Sequence, residues 1–311
     1  MKIHEAVALI QRGEVVAFPT ETVYGLGADA HNPEAIQKIF KVKGRPADNP
    51  LIIHLANLQE VAEFALEVPK PARQLMEKCW PGPLTLIFKK KPGVPDTATA
   101  GLPTVALRIP DHPVALELLR QTGPLAAPSA NRSGSPSPTK AEHVRRDFGD
   151  DFPVLDGGMS NIGLESTVLD VSETPFTILR PGKYTAGQLS EICGENIVRI
   201  PKTSGKPRSP GIQYTHYKPR ASVKWYDSTV SDIDKSRTLL ITHTRNPDNF
   251  PHHIHMNGDY EKFARELYDL FRTADYQSLS LILIEHLPEH PIHPLLEALQ
   301  NRIDKAAVQE P

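Results

Sequence analysis

Three loops of the sequence concentrate hydroxyl, amide and cationic side chains. They cover residues 19–27, 41–50 and 129–137, and each adjoins a predicted strand. Such groups bind phosphates and carboxylates. Taken singly, each loop also has a simpler interpretation, because Lys43 and Arg45 can solvate the C-terminal carbonyls of a helix and Ser/Gly/Pro loops are usually turns. The combination of loops, and not any one of them, therefore carries the functional information.

Arg108 and His54 each lie within a predicted strand. Arg108 follows three apolar residues, so its guanidinium needs an anionic partner, which is either a ligand or a structural carboxylate. His54 stands in the apolar run over residues 51–55, where a hydrogen-bonded core histidine is the better interpretation from the residues alone.

Standard catalytic signatures are absent from the sequence. It contains no P-loop, no complete dinucleotide fingerprint after Gly25, no G-x-S-x-G and no H-E-x-x-H. Two histidine groups, at 252, 253 and 255 and at 286, 290 and 293, invite a metal interpretation. Because prolines interrupt the second group, we interpret both as solvated loop histidines. Cys79 and Cys193 are too few for a disulfide framework and fit a reducing cytosol.

The elements that position these residues follow from periodicity. Strands are predicted over 15–18, 51–56, 84–90, 104–109, 125–128 and 166–171, and helices over 3–12, from Asn32, and over 113–120 and 139–148. The second part repeats the scheme with strands over 223–226, 238–242 and 279–284, a helix capped by Asp259, and a last helix carrying Ile292, Leu295, Leu296, Leu299 and Ile303. This alternation predicts an α/β fold with a smaller βαβ-type second domain.

Length and composition support two domains. The chain has 311 residues, 30 prolines, 19 glycines and a net charge of −2, which excludes collagen, low-complexity disorder and a general basic field. Residues 201–220 are basic and lack apolar periodicity, whereas 221–311 carry nine Lys and Arg against 14 Asp and Glu. We predict a first domain at 1–200, a basic linker or lid at 201–220 and a small domain at 221–311. No apolar run approaches membrane-spanning length, and we expect a cytoplasmic protein.

Several motifs occur in an order that resembles the YrdC-like threonylcarbamoyl-AMP synthases, in their long two-domain form. The motifs are Pro19-Thr-Glu-Thr-Val-Tyr-Gly-Leu26, Lys43-Gly-Arg45-Pro46, Asn49-Pro50-Leu51, Leu107-Arg-Ile-Pro110, Ser129-Ala130-Asn131, Gly163-Leu-Glu-Ser-Thr167, Leu179-Arg-Pro-Gly182 and Ser209-Pro210-Gly211 followed by Tyr214 and His216-Tyr217. The resemblance extends to about Pro219, and beyond it the chain matches only in position and size. It implies a twisted α/β sheet with a concave basic cavity and a Rossmann-like C-terminal domain.

The same resemblance implies an activity and a set of site residues. The family condenses L-threonine, bicarbonate or CO2 and ATP into threonylcarbamoyl-adenylate and pyrophosphate. The residues that would bind ATP are Lys43, Arg45, Asn49, Thr104, Ser129, Asn131, Ser137, Arg180 and Tyr217. Those that would bind threonine are Thr22, His54, Arg108, Ala127 and Ser166. Lys43 and Arg45 would also act in catalysis by offsetting charge on the pyrophosphate, and Asn131 would fix its loop or a phosphate.

Further expectations concern cofactors, partners and the linker. Magnesium would be carried mainly by the phosphates, and no protein metal site is expected. The product would pass to a tRNA threonylcarbamoyl transferase complex that modifies adenosine 37, so that tRNA contact by this chain is not required, and no membrane partner is implied. The linker would close over the nucleotide, although Gln213 and Thr215 replace residues that are commonly basic in the family.

Two alternatives remain at this point. A YrdC-like domain without synthase activity could bind RNA, but residues up to 198 carry 20 Lys and Arg against 23 Asp and Glu and no RNA-stacking motif. Transfer of carbamoyl groups in hydrogenase maturation would need acylphosphatase and zinc-finger segments that this sequence does not contain.

Overall fold

The structure is a computed structural model that describes residues 1–199, 217–226, 233–244, 249–288 and 293–307. Helices and strands alternate through its first part. The helices are α1 (Ile3–Gln11), α2 (Pro33–Lys43), α3 (Val61–Phe64), α4 (Lys70–Cys79), α5 (Asp96–Thr99), α6 (Pro113–Thr122), α7 (Ala141–Phe148) and α8 (Ala186–Cys193). The strands are β1 (Val16–Phe18), β2 (Gly25–Asp29), β3 (Ile52–His54), β4 (Leu84–Lys89), β5 (Thr104–Arg108), β6 (Leu125–Ala127), β7 (Thr167–Asp170), β8 (Phe176–Arg180) and β9 (Ile197–Arg199).

These strands form one mixed sheet in the order β1-β2-β6-β3-β5-β4-β7-β8-β9. Strands β3 and β5 run parallel and place His54 directly beside Arg108. Strand β6 pairs antiparallel with both β2 and β3. The middle of the sheet therefore gathers the ends of β2, β3, β5 and β6 into one region.

Local sequence explains how α2 forms. The side chain of Asn32 accepts hydrogen bonds from the backbone of Glu34 and Ala35, and Pro33 occupies the first helical position. Ile36 and Ile39 are fully buried on the face that packs against the sheet. Gly44 ends the helix with a φ of 62°, a left-handed conformation that favours glycine. The predicted helix is confirmed.

The second part forms a smaller sheet. Its strands are β10 (Ser222–Tyr226), β11 (Thr238–Thr242), β12 (His252–His255) and β13 (Leu281–Glu285), all parallel, in the order β10-β13-β11-β12. Its helices are α9 (Tyr260–Tyr276) and α10 (Leu296–Ala307). The side chain of Asp259 accepts from the backbone of Lys262, as the predicted cap requires. The predicted α/β class and the second βαβ-type sheet are confirmed.

Some predictions differ from the structure or fall outside it. Residues 25–29 form β2, although the sequence predicted a polar loop there up to Gly27. Residues 252–255 form β12, so the interpretation of these histidines as loop residues was wrong. Most of the predicted linker, Ile292 and His290 lie outside the described residues. Within the described ranges, no helix is both long and apolar enough to cross a bilayer.

Candidate functional site

A cleft of about 610 Å³, including its opening to solvent, lies where the ends of β2, β3, β5 and β6 meet. Nine of the residues predicted for the site line it: Thr22, Arg45, His54, Arg108, Ala127, Ser129, Ser166, Arg180 and Tyr217. The other lining residues were not predicted for the site, and they are Thr20, Val23, Tyr24, Gly25, Leu51, Ile52, Pro128 and Glu165. Four of these eight residues come from the first polar loop, so that loop was a signal that could have found them.

Arg108 is buried and held from three directions. Its Nη1 donates to Thr22 Oγ1 at 2.9 Å and its Nε to the Gly82 carbonyl at 3.2 Å. Its Nη2 lies 2.6 Å from Glu21 Oε1. The anionic partner that the sequence required for Arg108 is therefore Glu21 here, which fixes the guanidinium at the edge of the cleft.

His54 is buried in the core, and it also lines the cleft. Its Nδ1 lies 3.2 Å from the Ile52 carbonyl, and its ring packs edge-on against Phe18. Burial, and next the charge of Arg108, lower the pKa of His54 to about 3. The imidazole is therefore neutral at physiological pH.

Lys43 lies behind the cleft and not in its wall. The α2 helix ends with this residue, and its Nζ donates to the carbonyls of Ser129 and Asn131, each at 2.5 Å. Burial, with a smaller contribution from Arg45, holds the pKa of Lys43 well below its usual range. Lys43 thus fixes the backbone of the third loop.

Asn131 stabilises the same loop. Its Nδ2 donates to the carbonyls of Arg132 and Ser135 at 2.8 and 2.9 Å, and its Oδ1 accepts from Ser129 Oγ at 2.5 Å. These contacts orient the Ser129 hydroxyl in the wall of the cleft.

Arg45 and Asn49 belong to the second loop. Nη2 of Arg45 donates to the Pro50 carbonyl at 3.3 Å, and Arg45 lines the cleft. Asn49 is buried beside it without lining the cleft. Thr104 stands at the first residue of β5, four residues before Arg108, and pairs with Lys89. It does not line the cleft either.

Arg180 lines the cleft together with Ser166. Its Nε donates to the Ser166 carbonyl and its Nη2 to Ser166 Oγ, both at 3.1 Å, and Ser166 Oγ lies 2.8 Å from Thr85 Oγ1. Close backbone packing requires the neighbouring Gly182, since a Cβ there would lie 2.3 Å from the Thr167 nitrogen. Arg180 and Ser166 are thereby held as one unit.

Glu165 brings the two parts of the chain together at the cleft. It accepts hydrogen bonds from Ser137 Oγ at 2.6 Å, Arg302 Nε at 2.8 Å and Tyr268 Oη at 3.1 Å. Despite burial, the charges of Arg302 and Arg180 and these donors lower its pKa to about 2. Ser137 therefore contacts the cleft through Glu165 and does not line it. No local signal marked Glu165, because Arg302 lies 137 residues away.

Two histidines of β12, and His286 after β13, contact other protein side chains. Thr242 Oγ1 lies 2.8 Å from His253 Nε2 and 2.9 Å from His255 Nδ1, and His286 stacks on Trp225. Within the ranges that the structure describes, no three His, Cys, Asp or Glu side chains converge as a metal site.

Comparison with known proteins gives consistent matches along the whole chain. A family model described as "Telomere recombination" matches residues 8–182, and one described as "Threonylcarbamoyl-AMP synthase, C-terminal domain" matches residues 184–308. The threonylcarbamoyl-AMP synthase of Bacillus subtilis is 41% identical over 98% of this chain and 93% of its own length. That of Pyrococcus abyssi is 40% identical over 98% and 94%.

A solved structure matches in the same way. The crystal structure of P. abyssi Sua5 complexed with L-threonine superposes with a TM-score of 0.89 at 38% identity, and the match covers 98% of this chain and 94% of that one. Sequence and structure agree over both sheets, and this chain therefore belongs to the threonylcarbamoyl-AMP synthase family.

Proposed function

We propose that this chain condenses L-threonine, bicarbonate or CO2 and ATP into threonylcarbamoyl-adenylate and pyrophosphate. The observation that carries the proposal is the convergence of Arg45, Arg108 and Arg180 with serine and threonine hydroxyls on one cleft. Three cations in one cleft suit a polyphosphate and a carboxylate better than a neutral ligand. The full-length match to relatives named as synthases supports the same reaction.

The ATP side of the proposed site comprises Lys43, Arg45, Asn49, Thr104, Ser129, Asn131, Ser137, Arg180 and Tyr217. Arg45 and Arg180 would contact phosphates directly. Lys43 would offset charge that develops on pyrophosphate, because its ammonium lies against the Ser129 carbonyl next to the cleft wall. Binding of a polyanion nearby would also compensate the burial that disfavours the charged form of Lys43.

The threonine side comprises Thr22, His54, Arg108, Ala127 and Ser166. Arg108 would take the substrate carboxylate in a two-pronged pair, while Glu21 and Thr22 keep its guanidinium in place. The neutral His54 ring and Ala127 would face the apolar part of the amino acid.

The proposed reaction has two steps. The amine nitrogen of threonine attacks the carbon of CO2 and loses a proton, which forms a carbamate. A carbamate oxygen then attacks the α-phosphorus of ATP in line, and the bond to the β-phosphate oxygen breaks as pyrophosphate leaves. Both steps need positioning and charge neutralisation without a covalent enzyme nucleophile, which is what a cleft of fixed arginines and hydroxyls supplies.

We assign magnesium mainly to the phosphates. The two carboxylates nearest the cleft, Glu21 and Glu165, each already face an arginine within 2.8 Å. Such carboxylates are poor cation ligands, whereas the polyphosphate offers unpaired oxygens. Magnesium would add charge neutralisation at the pyrophosphate.

We also propose domain bounds and a downstream reaction. Residues 1–200 would form the catalytic domain, 201–220 a basic linker that closes over the nucleotide, and 221–311 the small domain. The product would serve a transferase that modifies adenosine 37 of tRNA. An RNA-binding module without synthase activity is the alternative, but the full-length match to relatives named as synthases favours the small-molecule reaction.

The test is pyrophosphate release by purified protein, measured with ATP and Mg²⁺ while threonine and bicarbonate are supplied or withheld. We expect full release only with both. Release that ignores either one, or RNA binding without release, contradicts the proposal.

A further inference from the structure

The nucleotide side of the cleft contains a buried negative charge. Glu165 lines the cleft, is 7% exposed and is ionised at physiological pH, as its pKa of about 2 requires. A buried carboxylate beside a proposed polyphosphate site repels the ligand unless a cation compensates it. The source of that cation therefore matters for ATP binding.

The compensating cation comes from the second domain. Arg302 of α10 is 0% exposed, and its Nε donates to Glu165 Oε2 at 2.8 Å while Nη2 approaches the Glu165 carbonyl at 3.5 Å. Nη1 donates to the neighbouring Asn301 Oδ1. Arg180 also lowers the pKa of Glu165, but its Nε and Nη2 donate to Ser166, and its side chain also hydrogen-bonds Tyr217.

The same arginine supports an aromatic wall of the cleft. Tyr217 lines the cleft with its ring 5.4 Å from the Arg302 guanidinium, and it stacks on Tyr268 at the same centroid distance. The Tyr268 hydroxyl in turn donates to Glu165. Arg302 thus contacts both the carboxylate and the ring. Ser137 is tied to the same carboxylate.

We infer that Arg302 is a positioning residue through which the second domain completes the ATP side of the cleft, by compensating Glu165 and supporting Tyr217. The inference rests on the proposed function, since it assigns Ser137, Arg180 and Tyr217 to ATP. It separates the two substrates, because Arg108 on the threonine side pairs with Glu21 and Thr22, whereas the hydrogen bonds of Arg302 go to Glu165 and Asn301.

The chain offers a matched control at the same interface. Arg272 of α9 is 4% exposed and pairs with Asp147 of α7 through both oxygens, at 2.8 and 2.9 Å, and with the Pro136 carbonyl. It crosses between the same two parts of the chain but does not line the cleft or contact Glu165. Arg302→Met and Arg272→Met each remove one buried arginine of this interface.

The experiment measures pyrophosphate release by the full chain with ATP and threonine varied separately, at a temperature where both variants are folded by circular dichroism. We expect Arg302→Met to raise KM for ATP at least about tenfold, a change of ~1.4 kcal/mol, with KM for threonine within about twofold of wild type. Arg272→Met should lower Tm comparably and leave KM for ATP within about twofold. Equal increases of KM for ATP in both variants would overturn the inference, because they would indicate that Arg302 only stabilises the contact between the domains.

A rescue variant tests the charge argument directly. Glu165→Gln removes the negative charge and keeps one acceptor oxygen in place of two, and the hydroxyl of Ser137 or Tyr268 that then faces the amide nitrogen can accept from it. Arg302→Met/Glu165→Gln should therefore bind ATP more tightly than Arg302→Met, and an affinity no better than that of the single variant contradicts the inference. Wild-type protein whose release needs no threonine or bicarbonate would instead reject the proposed function, so the two failures are distinguishable.

Discussion

At the level of single residues, the cleft is organised before any ligand arrives. Arg108, Arg180 and Lys43 are each buried, and each donates at least two hydrogen bonds to protein acceptors. A side chain held this way loses little conformational freedom when a substrate binds. The site therefore resembles a preformed cradle, and single substitutions should have effects specific to one substrate.

The first prediction concerns Arg108. Arg108→Ala should raise KM for threonine at least about tenfold with a far smaller change for ATP, because a bidentate carboxylate partner is lost. Lys43→Ala should instead impair the ATP-dependent step. Steady-state pyrophosphate release with each substrate varied separately measures both. Indistinguishable effects of the two substitutions would contradict the division of roles.

Arg108→Ala also leaves Glu21 buried without its cation, which by itself costs stability. The double variant Arg108→Met/Glu21→Gln removes both charges and serves as the folding control. It should recover stability while it keeps the threonine defect.

The second prediction concerns pH and His54. Its pKa is about 3 in the folded chain against 6.5 ordinarily, so below pH 6.5 the unfolded state binds more protons. The contribution of the neutral, buried His54 ring to the unfolding free energy is fully present above pH 6.5 and declines as the pH falls towards 3. Between about pH 7.5 and about pH 5.5, wild type should lose roughly 1 kcal/mol more unfolding free energy than His54→Asn. Denaturant unfolding at the two pH values measures it, and parallel losses would contradict the assigned burial.

The family motifs pointed to nine residues that line the cleft, but neither Glu165 nor Glu21 was among the predicted site residues. Arg108 could be singled out from its residue type and position, because a cation inside an apolar strand needs an anionic partner. Glu21 and Glu165 carry no such signal, since a glutamate in a loop is ordinarily solvated and their partners are distant in sequence. Only the fold reveals that these acids are buried.

At the level of elements, β2 shows where periodicity fails. Gly25 and Gly27 have no side chains to alternate, so residues 25–27 resembled a turn-rich loop. The structure explains both glycines, because a Cβ at Gly27 would lie 2.8 Å from the Phe18 ring and one at Gly25 would lie 3.1 Å from it. The pairing of β1 with β2 places this ring across the glycines. The predicted helix α2, which has a regular apolar pattern, is confirmed, whereas α4, α8 and β8 were not predicted.

The third prediction tests the contact between the motif at 163–167 and α9. Gly163 has a φ of +78° and a Cβ there would lie 2.4 Å from Arg265 Cα. Gly158 has the same φ with open space around it. Both substitutions to alanine share the backbone penalty, roughly 1 kcal/mol. Gly163→Ala should cost at least about 2 kcal/mol more, by overpacking against α9. Urea unfolding of both variants measures the difference, and equal losses would contradict the contact.

At the level of the whole molecule, the two sheets share buried contacts. Val23 and Leu164 of the first part pack in the same apolar cluster as Leu267 and Ile303 of the second. The ion pairs Arg272–Asp147 and Arg302–Glu165 cross the same boundary. The sequence predicted two domains but not the contacts between them, because predicting those contacts requires knowing which surfaces of the two parts meet.

The fourth prediction follows for a chain shortened to residues 1–204. The first sheet has its own large apolar cluster. The shortened chain should therefore stay folded and keep the far-ultraviolet circular dichroism spectrum of an α/β protein. Turnover should fall at least about tenfold, because Glu165 loses Arg302 and Tyr217 is removed. Undiminished turnover in the shortened chain would contradict a role of the second domain at the cleft.

The most direct test of the proposed reaction is the identity of the product. Purified protein would be incubated with ATP, Mg²⁺, isotope-labelled bicarbonate and isotope-labelled threonine, and the nucleotides resolved by chromatography and mass spectrometry. We predict one new adenylate that contains both labels and forms together with pyrophosphate. Pyrophosphate release with only unlabelled AMP, or a product that lacks either label, would contradict the account.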